Sequence, residues 1–187
     1  MTMKTEDQIL AAAAGLLEQG GVAAVTTRAV CQAAGVTAPT LYHHFGDKDG
    51  LLRAVVAQGV AAFMTKKRAN RQTADALADL KRGWDGWIAF ALERPKLFHL
   101  MVESTRSDPS TSQEAFVLMR ATVERLGNDG RLTTDVDTAA RTVWAAANGV
   151  LSLFMQGTSA AEIEPSSELL FEALTARLVR PEPLEMR

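Results

Sequence analysis

The apolar residues of this chain recur at intervals of three and four positions, the spacing that places side chains on one face of an α-helix. Near the start, Ile9, Ala13 and Leu16 follow this rule. No segment shows the alternation of apolar and polar residues, bounded by turn signals, that indicates a β-strand. The pattern therefore predicts an all-α protein with about nine helices. Two short ones lie within residues 26–46, and the other seven cover 5–19, 47–70, 74–94, a short segment from Pro95, 113–127, 135–156 and 166–180.

Glycine and proline separate these segments. The first helix is predicted to end at the glycine pair 20–21, and a polar loop containing Pro109 is predicted over 107–112. Pro165 precedes the predicted last helix, and Pro181 ends it.

Residues 26–46 predict two short helices joined by a sharp turn. Thr26 can cap the first helix by accepting a backbone N–H, and Gly35 can adopt the positive φ that the turn needs. Thr37 is expected to cap the second helix, and Pro39 falls in its first turn, where a missing N–H is tolerated. Two helices crossing over such a turn form a helix-turn-helix, whose second helix enters the major groove of DNA.

The second short helix has an apolar inner face and a polar outer face. Leu41 and Phe45 are four residues apart and are expected to point inward, whereas Thr40, Tyr42 and His43 are left pointing outward. Hydroxyl and imidazole groups at these positions suit contacts to phosphates and base edges.

The next predicted helix begins with a cap and a cation. Asp47 can cap it, and Lys48 in its first turn is within reach of a phosphate. Gly50 follows, where a helical glycine costs about 1 kcal/mol relative to alanine. At the far end of this helix, the Lys-Lys-Arg run at 66–68 is interpreted as a solvated helix end.

Charge is distributed unevenly along the chain. The net charge is −2, but residues 1–71 hold 8 Lys and Arg against 5 Asp and Glu, whereas residues 72–187 hold 12 against 17. A basic N-terminal part joined to an acidic remainder is expected when one end of a protein binds phosphate. Because the basic excess is small, we expect weak and salt-sensitive non-specific DNA binding.

Composition narrows the class of protein. The chain is 47% apolar with charges of both signs, as in folded globular proteins. One cysteine excludes an internal disulfide and fits a reducing cytoplasm, and no signal-peptide or membrane-span pattern is present. No metal-ligand spacing or catalytic motif is recognisable, and His43 with His44 is interpreted as a DNA-contact or packing pair. We therefore expect a cytoplasmic protein with no metal, no cofactor and no enzyme activity.

Residues 6–56 resemble the DNA-binding domain of the TetR (tetracycline-repressor-like) family of bacterial transcription regulators. The resemblance rests on segments 26–28, 33–36 and 40–45, followed by Lys48 and a leucine pair at 51–52. It implies a helix-turn-helix DNA-binding domain over residues 1–48 and a helical ligand-binding and dimerisation domain over residues 49–187. The residues expected to contact DNA are Thr27, Arg28, Thr37, Ala38, Pro39, Thr40, Tyr42, His43 and Lys48.

The last two long helices predict a homodimer interface. Apolar residues occur on more than one side of both helices, more than one modest core requires. The resemblance implies the same, since the final two helices of TetR-like proteins pair with their copies; an ordinary internal core is the alternative. The residues assigned to the interface are Val143, Ala147, Leu151, Phe154, Leu170, Leu174 and Leu178.

The middle helices predict a compartment for a small ligand. All three tryptophans lie outside the DNA-binding part, and small-molecule sites are mostly apolar with a few polar groups. For any single aromatic residue, core packing is the alternative; polar groups could come from His99, Glu103, Thr122 or Asn148. The candidate ligand-binding residues are Phe63, Trp84, Trp87, Phe90, Phe98, Met101, Phe116, Met119, Trp144 and Asn148.

Three hypotheses follow from these expectations. The first is a repressor that binds a palindromic operator in double-stranded DNA as a homodimer and is released by a small, mostly apolar effector. The second is a DNA-binding regulator without a small-molecule effector, controlled by a protein partner. The third is an enzyme that carries helix-turn-helix-like helices, and it is disfavoured because no catalytic constellation supports it.

Overall fold

The computed structural model describes residues 4–69, 71–107 and 110–181. Within these ranges it contains nine α-helices and an isolated antiparallel bridge between Leu132 and Val179. The predicted all-α fold is confirmed. The helices are α1 (Thr5–Ala24), α2 (Thr27–Ala34), α3 (Ala38–Phe45), α4 (Lys48–Ala69), α5 (Ala76–Glu93), α6 (Pro95–Ser107), α7 (Ser110–Asn128), α8 (Val136–Met155) and α9 (Ala160–Leu178).

The start of α9 differs from the prediction. The helix begins at Ala160, so Pro165 lies inside it and does not mark its start. The reason is a capping box, in which the Glu162 carboxylate accepts the backbone N–H of Ser159 at 3.1 Å and its hydroxyl at 2.6 Å. Pro109 lies outside the described residues, but α6 extends to Ser107 and α7 begins at Ser110, so the loop predicted over 107–112 is helical at both ends.

The first helix runs on past the glycine pair that was predicted to end it. The backbone leaves helical geometry at Gly21 (φ 68°, ψ −167°), and a further turn reaches Ala24. The predicted end is therefore a break within α1.

Packing groups the chain into two compact units. The first comprises the described residues of Met1–Lys66 and Arg94–Thr111, and the second those of Lys67–Glu93 and Ser112–Arg187. This grouping differs from the expected division after residue 48, because α6 packs against α1 and most of α4 falls in the same compact unit.

In the first unit, α1 is the central packing element. It buries Ile9, Ala13 and Leu17 and contacts α2 and α6. The Glu18 carboxylate accepts the backbone N–H groups of Lys96 and Leu97, at 3.3 and 3.1 Å. These N–H groups at the start of α6 have no partner within their own helix, so Glu18 fixes α6 against α1.

In the second unit, α5, α7, α8 and α9 enclose an apolar core. Leu126, Leu151 and Ile163 are completely buried. The Trp84 indole N–H donates to the buried Ser167 hydroxyl at 2.8 Å, which connects α5 to α9 with no polar group left unpaired at that contact. None of the described helices has the length and apolarity that crossing a lipid bilayer requires.

Candidate nucleic-acid interface and effector cavity

Helices α2 and α3 form the predicted helix-turn-helix. The Thr26 hydroxyl accepts the backbone N–H of Ala29 at 3.2 Å, as expected of a cap. Gly35 has φ 67° and ψ 32°, a left-handed conformation that glycine adopts without steric cost. Val30 and Leu41 are buried, so they fix the angle between the two helices.

The outer face of α3 carries the residues that the sequence assigned to DNA. Tyr42 is 46% exposed, and His43 is also exposed. The Tyr42 hydroxyl lies 3.1 Å from the Thr27 hydroxyl, which places a residue of α2 and a residue of α3 at one polar surface. Arg28 and Pro39 are exposed on either side of the turn.

Thr37 does not use its side chain as a cap. Its hydroxyl is hydrogen-bonded to the Thr40 hydroxyl at 2.9 Å, and it makes no bond to the helix backbone. Pro39, in the first turn, supplies no N–H that would need such a cap. Thr40 and its neighbour Ala38 are half-buried.

Lys48 makes a hydrogen bond that the sequence did not indicate. Its ammonium group donates to the backbone carbonyl of Val22, near the end of α1, at 3.1 Å. Two ammonium N–H groups remain for a phosphate. Lys48 therefore positions the start of α4 against α1 in addition to its expected role.

Gly50 occupies a position where a side chain has no room. Asp47 caps α4 as predicted, with its carboxylate accepting the Gly50 N–H at 2.6 Å. A Cβ at residue 50 would lie 2.0 Å from the backbone oxygen of Phe45. The glycine costs helix propensity but permits the close approach of α3 to α4.

The adjacent histidines on α3 pack against each other. The His43 and His44 rings are 5.5 Å apart in an edge-to-face arrangement, and His44, expected to pack or cap, is exposed. Among the side chains that the structure describes, no three His, Cys, Asp or Glu residues are grouped to hold a metal ion.

An aromatic cluster fills part of the second unit. Trp87 and Trp144 have ring centroids 5.4 Å apart, and Phe116 meets Trp144 edge-on at 5.7 Å. Phe90 stacks on Trp87 at 6.1 Å. These four residues were all candidates for the ligand site.

A narrow apolar cavity adjoins this cluster. Its free volume is about 20 Å³, enough for one small group. Four predicted ligand residues line it, namely Trp84, Trp87, Met119 and Trp144. The other lining residues are Lys67, Leu80, Gly83, Val143 and Ala147.

A larger polar cavity of about 500 Å³ shares Lys67 and Gly83 with the apolar one. Its remaining lining residues are Arg68, Arg71, Gln72, Asp79, Arg82, Leu118 and Thr122. Four cationic side chains thus face one carboxylate. Of this lining, the sequence had indicated Thr122 alone.

Lys67 lies in the wall common to both cavities. It is half-buried, and this burial lowers the pKa of its ammonium group below the usual value. The interpretation of 66–68 as a solvated helix end is therefore wrong for Lys67. The available signal was spacing, because Lys67 follows the buried residues Phe63 and Met64 by four and three positions.

Some predicted ligand residues lie elsewhere. Phe63, Phe98 and Met101 are buried in the first unit, not in the second with the tryptophans. Asn148 lines neither cavity, and its amide donates to the Trp144 carbonyl within α8 at 2.8 Å. His99 and Glu103 lie 3.4 Å apart on the exposed side of α6.

The predicted interface residues divide into two groups. Val143, Ala147 and Leu151 are buried inside the protomer, so these side chains serve its own core and cavity. They face inward because α8 packs against both α5 and α9. Phe154, Leu170, Leu174 and Leu178 are half-buried. On the same two helices, the apolar side chains of Leu153 and Leu169 are 50% and 67% exposed.

Two protein-family models match the chain. The model for bacterial regulatory proteins of the tetR family matches residues 9–55, which include the helix-turn-helix. The model for the tetracyclin repressor-like C-terminal domain matches residues 80–178, more than half of the chain.

A known protein is similar to this chain in sequence over a short segment, and known structures are similar to it over most of its length. The HTH-type transcriptional regulator UidR of Escherichia coli (strain K12) is 33% identical over 54 residues, which are 29% of this chain and 28% of UidR. A TetR transcription regulator from Haloarcula marismortui superposes with a TM-score of 0.80 at 18% identity, over 93% of this chain and 98% of that one. The TetR family regulator PfmR from Thermus thermophilus gives 0.66 at 22% identity, over 91% and 97%.

These structures share the fold of this chain, and the family models cover both its helix-turn-helix and its second unit. The protein belongs to the TetR family of DNA-binding transcriptional regulators.

Proposed function

We propose that the protein is a repressor that binds a palindromic operator as a homodimer and leaves it when a small effector occupies the cavities of the second unit. The observation that supports this proposal most strongly is which residues lie at the two ends of α4. This single helix begins at Lys48, beside the helix-turn-helix, and carries Lys67 in the wall of both cavities.

DNA contact would be made by the outer face of α3. Tyr42, His43 and the Thr27 hydroxyl supply donors and acceptors for base edges and phosphates at one exposed surface. Lys48 and Arg28 add charge next to it, which suits phosphate contacts on either side of a groove.

A dimer would present two such surfaces to one operator. Successive major grooves on one side of the duplex are about 34–36 Å apart, so a two-fold dimer reads an inverted repeat. The exposed side chains of Leu153 and Leu169 on α8 and α9 offer apolar surface for pairing with a second copy.

Effector control would act through α4. A ligand changes DNA affinity only if it favours one of two conformations. A helix rises about 1.5 Å per residue and is stiff, so a displacement at Lys67 would alter the position of Lys48. The separation of the two helix-turn-helix surfaces in the dimer would then no longer match the spacing of successive major grooves.

Selection from a pool of random duplexes tests the DNA-binding part of this proposal. The full-length protein should enrich an inverted repeat whose half-sites are about one helical turn apart. Tyr42→Phe should weaken binding to the enriched duplex severalfold, by loss of one hydroxyl contact, while a second variant, Val117→Thr on α7, should bind like the parent. Enrichment of no sequence, or of an unrepeated one, would reject the palindromic operator.

A further inference from the structure

The two cavities of the second unit differ in chemistry and share a wall. Trp84, Trp87 and Trp144 make one cavity apolar, whereas Arg68, Arg71 and Arg82 line the other. Because Lys67 and Gly83 border both, one ligand could occupy the two together.

The cations of the polar cavity are only partly neutralised. Asp79 is nearly buried and accepts hydrogen bonds from Arg82 and, at 2.6 Å, from Arg125. Two positive charges therefore meet one negative charge at this wall. Arg68 forms an ion pair with Glu114, which neutralises that side chain.

Lys67 and Arg71 complete the positive side of the cavity. Within the described part of the chain, neither side chain takes part in an ion pair. Lys67 is half-buried, and burial lowers the pKa of its ammonium group, so it stands in a poorly solvated place without a compensating carboxylate. An anion bound there would relieve this desolvation cost.

We propose that the effector is a small organic anion, a carboxylate or phosphate ester carrying a short apolar group, held with its oxyanion between Lys67 and Arg71 and its apolar end among the tryptophans. The planar guanidinium of an arginine matches the two oxygens of such a group, and lysine adds a point charge. This inference rests on the proposed function only for the consequence of binding, not for the binding itself.

The volumes of the two cavities determine which part of the ligand each can hold. The polar cavity of about 500 Å³ accommodates a small molecule, whereas the apolar cavity of about 20 Å³ accommodates little more than one terminal carbon group. Most of the ligand therefore lies on the polar side.

A quaternary ammonium ligand is the opposite possibility, since tryptophan faces attract cations. The position of Lys67 argues against it. A cation bound against the tryptophans would lie in the same cavity as the Lys67 ammonium group, and like charges repel.

Calorimetric titration of the full-length protein with three alkyl compounds of different charge tests the charge of the ligand. Hexanoate, hexan-1-ol and hexyltrimethylammonium carry similar alkyl chains, and inorganic phosphate serves as an anion without one. We expect hexanoate to bind at least about tenfold more tightly than the other three, because its carboxylate can form charge-assisted hydrogen bonds with Lys67 and Arg71. Equal or tighter binding of hexyltrimethylammonium would overturn the proposal.

Two matched pairs of variants locate the site. Lys67→Met should weaken hexanoate binding about tenfold or more, while Lys66→Met, the same change at an exposed neighbour, should not. Gly83→Leu should fill the shared wall and abolish binding, because nothing lies within 4 Å of a Cβ there. Gly86→Leu, equally open and on the same helix but lining neither cavity, should bind like the parent.

The outcomes separate this inference from effector control. If both site variants weaken hexanoate binding, but hexanoate does not change the affinity of the parent protein for the selected duplex, the anion site is supported. Control of DNA binding by that site is then rejected. If hexyltrimethylammonium releases the duplex and hexanoate does not bind, the anion site is rejected. Effector control of DNA binding is then still supported. Hexanoate binding that Lys67→Met and Gly83→Leu leave unchanged rejects the site proposed here.

Discussion

At the scale of single residues, Lys48 combines an observed structural contact with a predicted contact to DNA phosphate. Its hydrogen bond to the Val22 carbonyl attaches α4 to α1, while its remaining N–H groups can reach a phosphate. Lys48→Ala should flatten the dependence of log affinity on log salt by about one unit, and it should also lower the melting temperature. Titrations of the selected duplex at several salt concentrations measure the first effect. Lys66→Ala, at the other end of the same helix, should leave both quantities unchanged, and a Lys48→Ala slope equal to that of the parent would show that no phosphate is contacted.

Two glycines within helices should respond in opposite ways to the same substitution. Gly50→Ala would place a Cβ 2.0 Å from the Phe45 oxygen, so we expect a loss of about 1–3 kcal/mol despite the better helix propensity of alanine. Gly83→Ala meets no atom within 4 Å and should stabilise the protein by about 0.5–1 kcal/mol. Denaturant unfolding of the two variants and the parent measures both changes. A stabilising Gly50→Ala would mean that α3 and α4 are farther apart than described.

Gly50 was recognised in the sequence as an unusual helix residue, but the reason for it was not. Gly50 looked like a cost in helix propensity, and only the position of the Phe45 carbonyl explains it. Lys67 was missed because a basic run at a helix end is usually solvated. The spacing of Lys67 from Phe63 and Met64 marks a buried face, but only the structure shows that Leu80 of α5 and Met119 of α7 line the same cavity.

At the scale of helices, the starts of α8 and α9 depend on carboxylates. The Thr138 N–H donates to Asp135 at 2.8 Å, and this bond holds the pKa of the Asp135 carboxyl below its usual value. The hydroxyl and N–H of Ser159 do the same for the pKa of Glu162. Both carboxylates stabilise the fold when ionised. Their contribution is therefore complete above their ordinary pKa and is lost as the pH falls through the lowered value.

This linkage gives a pH-dependent expectation. The double variant Asp135→Ala and Glu162→Ala should melt below the parent at neutral pH, with a difference that shrinks as the pH falls below about 4. Melting curves over this range measure it, with Glu164→Ala, an exposed change on α9, as the control. A difference that stays constant with pH would show that the loss comes from helix propensity and not from the ionised caps.

Local chemistry explains why helices were predicted better than their packing. The Thr26 cap, the Gly35 turn and the Asp47 cap each depend on neighbours within four residues, and all three are present as expected. The capping box of α9 was equally local, with Ser159 and Glu162 three apart, but this pair was overlooked and Pro165 was expected to precede the helix.

At the scale of the whole molecule, the proposed dimer would hold two helix-turn-helix units at a fixed separation. Leu153→Asp with Leu169→Asp changes two largely exposed side chains, so the protomer should fold normally. We expect a monomer by sedimentation and a loss of operator affinity of about 10²–10⁴-fold, the usual range for loss of bivalent binding. Val117→Asp on α7, an exposed apolar residue of similar accessibility, should remain dimeric. A double variant that sediments as a dimer would place the interface elsewhere.

At this scale, the sequence did not show which helices pack against each other. Val143 and Ala147 were assigned to the dimer interface because apolar residues occur on more than one side of their helix, yet they line the cavity beside Trp144. Phe63 and Met101 were grouped with the tryptophans by composition, although they are buried in the other unit. Periodicity identifies a buried face but not the neighbour that buries it.

The number of chains that bind one operator is the most direct test of a dimeric repressor. Sedimentation of the selected duplex with increasing protein should show two protomers per inverted repeat, and a duplex carrying a single half-site should bind at least about a hundredfold more weakly. Saturation at one protomer per duplex, with equal affinity for the half-site, would contradict it.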